Sequence, residues 1–139
     1  MKRIYLITCV AIVLVVGVMT HTQLVVNHSE SLPHHTFLVV KNIPVKTGDL
    51  VHIKGHPTAY VEGVNFTKRI EAVEGDLVPH PPLQSKTRSG KMLSPLEFTV
   101  VPVGQVYVTA PHARSFDSRY AEFGCVKREH IVGKAYPLW

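Results

Sequence analysis

Apolar residues run almost without interruption over positions 4–19, pause over the polar stretch 20–23, and resume briefly at Leu24-Val25-Val26. An α-helix rises about 1.5 Å per residue, so crossing a hydrocarbon core ~30 Å thick takes roughly 17 to 25 residues. The run therefore predicts a short transmembrane helix that uses Thr20 and some following residues at the interface. Lys2 and Arg3 ahead of it place the N-terminus in the cytoplasm. The competing reading is a cleaved signal peptide with Val15 and Gly17 as a relaxed small-residue site, although no A-x-A pattern closes the run. On this pattern the chain divides into a membrane anchor, residues 1–26, and an exported domain, residues 27–139.

Beyond the anchor the pattern changes to short β-branched runs punctuated by Gly and Pro, which is an all-β signature. Strands are predicted over residues 37–41, 50–54, 67–73, 97–101, 105–109 and 131–135. Turn signals at Thr47-Gly48-Asp49, Gly55-His56-Pro57, Glu74-Gly75-Asp76, Ser89-Gly90 and Pro102-Val103-Gly104 separate them. About 110 residues suit one small core, and the expected architecture is a small, partly closed β-barrel-like domain. The proline-rich stretch from Pro79-His80-Pro81-Pro82 to Gly90 reads as a mobile surface loop. Along strand 67–73, alternation puts Phe66, Lys68, Ile70 and Ala72 on one face and Arg69, Glu71 and Val73 on the other. Lys68 is then the charged member of an apolar face, where desolvation would lower its pKa unless it snorkels to water.

Composition removes several function classes. The formal charge of +5 falls to about +3 once Lys2 and Arg3 are set aside. The basic residues Lys41, Lys46, Lys54, Arg88 and Arg128 are scattered, which argues against nucleic-acid binding. Cys9 lies in the anchor and Cys125 far downstream, so no intramolecular disulfide is expected, and Cys125 reads as a small buried residue. Among the nine histidines, His34-His35, His52 and His56 lack metal-ligand spacing, so neither metal nor cofactor is expected. Asp49, Asp76 and Asp117 each sit in a separate turn or motif rather than forming a dyad. Asn27-His28-Ser29 and Asn65-Phe66-Thr67 satisfy the N-glycosylation pattern, and a glycan at either would obstruct the residues considered next, favouring a bacterial periplasm.

The polar motifs occur in a telling order. Ser29-Glu30-Ser31-Leu32-Pro33 follows the anchor, then Gly48-Asp49-Leu50-Val51, then Lys68-Arg69-Ile70 through Gly75-Asp76. Val101-Pro102-Val103-Gly104, Asp117-Ser118-Arg119-Tyr120, Phe123-Gly124-Cys125-Val126 and the run from Arg128 to Ala135 complete the set. In this order they resemble the signal peptidase I family of membrane-anchored Ser-Lys endopeptidases, most closely its short TraF-type members of conjugative transfer systems. The resemblance implies Ser31 as nucleophile and Lys68 as general base. It implies an oxyanion hole from the Ser31 backbone N–H and the Ser29 hydroxyl, a Lys68 amine oriented by Ser115, and an Asp117–Arg119 ion pair behind the site. Thr109-Ala110-Pro111-His112-Ala113-Arg114 stands where the family usually carries G-D-N-R-D-N, so no contacts of that run are transferred. The short interval between the base motif and the last motifs implies that the large second β-domain of some signal peptidases is absent.

The implied chemistry is self-consistent. A serine hydroxyl needs a base, and a lysine qualifies only when neutral. Lowering its pKa from about 10.4 to about 7 or 8 costs roughly 4 kcal/mol, which desolvation must supply. A well-placed oxyanion donor contributes about 3 to 4 kcal/mol. The expected protein is a single-pass bacterial inner-membrane endopeptidase with a periplasmic catalytic domain, which cuts signal or leader peptides from exported precursors. Its partners would be the lipid bilayer, a precursor or pilin substrate and pilus assembly proteins. A general type I signal peptidase and a non-catalytic anchored β-module of a secretion channel are the alternatives.

Overall fold

The apolar run folds as helix α1, Lys2–His21, in a computed structural model that describes residues 2–79, 81 and 83–139. Its 20 residues make a rod about 30 Å long, its mean hydropathy reaches 2.3, and none of it is buried by the rest of the protein. The hydroxyls of Thr8 and Thr20 donate to the carbonyls of Ile4 and Gly17, so neither presents an unpaired polar group along the apolar rod. Length and composition suit a membrane anchor.

Leu24-Val25-Val26 lies in the first strand of the sheet, β1 (Thr22–Val26). The others are β2 (Thr36–Lys41), β3 (Leu50–Ile53), β4 (Phe66–Val73), β5 (Gln105–Thr109), β6 (Val126–Lys127) and β7 (Ile131–Pro137). All pair antiparallel in one sheet of order β1-β2-β7-β3-β4-β5-β6. The domain is thus all-β, as the Gly/Pro-punctuated pattern predicts, and the sheet is open, with β1 and β6 at its edges.

Three expectations are corrected. Residues 97–101 do not form a ladder strand. Flanked by Pro95 and Pro102, which lack an N–H, they run beside residues 76–78 through bonds such as Val78 N–H to Thr99 O and Val101 N–H to Asp76 O. The expected mobile loop contains a tied hairpin. Lys86 bridges Met92, Thr87 and Leu93 donate to Lys91 and Ser85, and Tyr60 Oη donates to Met92 O. His80 and Pro82 of that stretch lie outside the described residues. The third correction concerns β4, where the register slips between Ile70 and Ala72. One extra residue at a bulge reverses the facing of everything after it. Ile70 packs with Val106, Val108 and Phe123, joined by Val73, whereas Ala72 packs with Tyr107, Val101 and Cys125. Lys68 therefore shares its face with Phe66 and Ile70 but not with Ala72.

Candidate active site

Ser31 sits in the loop between β1 and β2, which is closed by a hydrogen bond from Asn27 N–H to His35 O at 2.6 Å. Leu32, 4% exposed, drives this loop onto the sheet by packing with Phe37, Val39, Ala110 and Ala135. That burial fixes the backbone one residue after Ser31. On the other side, Asn27 Oδ1 accepts both the Ser29 N–H at 3.1 Å and the Ser29 hydroxyl at 2.9 Å. Ser29 Oγ lies 2.7 Å from Ser31 Oγ. Because the single Ser29 hydroxyl hydrogen is directed to Asn27, the Ser31 hydroxyl is the donor between the two serines.

Lys68 comes from β4, opposite Val51 of β3, and only 3% of it is exposed. Its Nζ donates to Ser115 Oγ at 2.7 Å. Burial lowers its pKa from 10.5 to about 8, the nearby Asp117 carboxylate partly opposing this and the Arg119 guanidinium adding to it. The lysine is thus poised to lose its proton near neutrality, and a neutral amine that donates one hydrogen to Ser115 keeps its lone pair for another proton.

Ser115 is held by the segment that follows β5. Fully buried Asp117 and the largely buried Arg119 form a bidentate ion pair, with Nε to Oδ1 at 2.7 Å and Nη2 to Oδ2 at 2.8 Å. Asp117 Oδ2 also accepts the Ala110 N–H, while Arg119 Nη2 donates to the carbonyls of His112 and Ser115. The pair is the hub around which residues 110–119 fold.

Ser29, Ser31, Lys68 and Ser115 line one cavity of about 440 Å³. Phe66 and Phe116 give it apolar walls, and Glu30, Arg88, His112 and Arg114 also line it. No hydrogen bond joins Ser31 to Lys68 among the described residues. Each hydroxyl or amine is instead engaged with its neighbouring serine. Asp117 and Arg119 are not among the lining residues. Asn27 was not foreseen as a site residue, although an Asn two residues before a Ser is a recognisable turn signal. His112, Arg88 and Arg114 carry no local sequence signal for a site, and His112 and Arg114 fall in the run that departs from the family pattern. Cys125 is buried, its thiol pushed up to about 11 by desolvation, and it packs beside Tyr107 as an unreactive core residue.

Residues 79–139 match the family model for signal peptidase, peptidase S26. No curated protein matches the chain. The matched segment contains Ser115, Asp117 and Arg119 and ends before neither strand β6 nor β7, whereas Ser31 and Lys68 lie outside it. The match supports a peptidase of the signal peptidase type, and the fold carries the matched Ser115 to within 2.7 Å of the unmatched Lys68.

Proposed function

We propose that the protein is a membrane-anchored serine endopeptidase that removes signal or leader peptides from exported precursors. Its finer role is the maturation of pilin precursors in a conjugative transfer system, from a periplasmic face with the N-terminus in the cytoplasm. The observation that carries the reading is the buried Lys68 amine, with a pKa of about 8, in the same cavity as the Ser31 hydroxyl.

In the proposed reaction the Ser31 hydroxyl turns from Ser29 toward neutral Lys68 as a peptide enters. Lys68 accepts the proton while Ser31 Oγ attacks the scissile carbonyl. Ser115 holds the amine in place, and the Phe66 and Phe116 walls keep it desolvated. The Ser31 N–H and the Ser29 hydroxyl supply the oxyanion contacts, the latter after rotating away from Asn27 Oδ1. The new ammonium then protonates the leaving amine, and water releases the acyl group.

The test is cleavage of a precursor peptide by single and double variants. Ser31→Ala and Lys68→Ala should each lower kcat/KM by a factor on the order of 10⁴, and the double variant should be hardly worse, because residues acting as one unit are non-additive. Near-native turnover by either single variant would remove the mechanism.

A further inference from the structure

Three cavities meet at Arg88. The one that holds Ser31 and Lys68 is also lined by Arg88 and Arg114. A second, of about 270 Å³, is lined by Lys86, Arg88 and Arg114, and a third, of about 460 Å³, by Arg88 and Lys91 beside Tyr60 and Phe116. These cations stand on fixed backbone. The hairpin over residues 85–93 is closed by Thr87 N–H to Lys91 O at 2.8 Å and Leu93 N–H to Ser85 O at 2.9 Å, and Arg114 N–H donates to His112 Nδ1 at 3.1 Å. Among the described residues, Lys86, Arg88, Lys91 and Arg114 take part in no ion pair. Among the described residues Glu30 is the one carboxylate lining any of the three cavities, and it pairs with none of these cations.

Unneutralised cations of one sign in a cleft with apolar walls focus an attractive field for an anion. Guanidinium groups add a planar fork that matches a carboxylate bidentately. We propose that Arg88 and Arg114 form a carboxylate subsite beside Ser31 and Lys68, so that the protein selects peptides with an Asp or Glu side chain within a few residues of the scissile bond. This rests on the reading of Ser31 and Lys68 as the peptidase pair. A peptide, rather than a lipid headgroup, is the occupant because both arginines line the cavity that also holds Ser31 and Lys68, where the chain being cut must lie.

The test uses the full-length protein in detergent micelles and a precursor peptide with Glu, Gln or Lys placed in turn at each position flanking the cut. At one position Glu should exceed Gln in kcat/KM by about tenfold, or about 1.4 kcal/mol, with Lys worse than Gln. In the Arg88→Gln, Arg114→Gln double variant that ratio should fall to within about twofold while the Gln peptide is still cut. Charge reversal, Arg88→Glu with Arg114→Glu, should make Lys the preferred residue. Affinities of the same peptides for the Ser31→Ala protein separate the two readings. A Glu preference in binding that the arginine variants abolish supports the subsite even if no peptide is cut, a result that would sink only the peptidase reading. Equal handling of Glu and Gln at every position, or a preference unchanged in the arginine variants, would overturn the subsite. So would a loss in these variants confined to activation by anionic lipid in nanodiscs, with the Glu preference intact, since that would make the patch a headgroup site.

Discussion

At the residue scale, Lys68 carries opposed demands of stability and chemistry. A pKa lowered from 10.5 to about 8 in the folded protein means that at neutral pH folding buries an ammonium at a cost of about 3 kcal/mol, at ~1.4 kcal/mol per unit. The unfolded chain binds more protons between about pH 8 and 10.5, so the contribution of this residue to stability rises with pH across that window. Below pH 8 both states hold the proton and the penalty is constant. Lys68→Met, which fills similar space without the charge, should therefore raise stability at pH 7 by about 1 to 3 kcal/mol, read from a denaturant midpoint, while abolishing cleavage. Loss of stability in that variant would mean that Lys68 is held as a structural ion rather than a desolvated base. Its setting on an apolar face was legible in the alternation of Phe66, Lys68 and Ile70. Its contact with Ser115, 47 residues away, was suggested by motif resemblance alone, because hydrogen bonds across such separations leave no local periodicity.

At the scale of elements, strands with period-two patterns were legible and those defined by partners were not. β2, β3, β4, β5 and β7 were all predicted, because each is long enough to alternate or to carry a β-branched run. β6 has two residues, too few to show any period, and in β1 the polar Thr22 and Gln23 leave only the apolar triplet 24–26, too short to be told from the tail of the α1 run. The β4 bulge was invisible because an inserted residue leaves no mark on the sequence, and Ala72 is as compatible with one core cluster as with the other. Strand β7 makes the sharpest prediction. It is inserted between β2 and β3, and a Cβ on Gly133 would lie 2.1 Å from the Val40 carbonyl oxygen and 2.7 Å from its carbon. Both are backbone atoms that can yield only if β2 and β7 separate. Gly133→Ala should cost about 2 kcal/mol or more, read as a lower urea midpoint at unchanged slope, since overpacking ordinarily costs ~1 to 3 kcal/mol. A midpoint equal to that of the parent protein would show that the two strands are not so closely apposed.

For the molecule as a whole, the site exists only because the sheet order brings distant segments together. Ser31 comes from the loop after β1, Lys68 from β4, and Ser115 from the segment after β5 that the Asp117–Arg119 pair folds. The cavity they share sets the lysine environment, so the protonation state of one side chain reports on the complete arrangement. The most direct test is the pH dependence of kcat/KM for the intact protein in detergent with a precursor peptide. Only the neutral amine can take the Ser31 proton, so activity should rise with pH through an acidic limb near pH 8, the value to which burial lowers Lys68. A limb near 10, where a solvated lysine titrates, would contradict Lys68 as the base even if Ser31 proved essential.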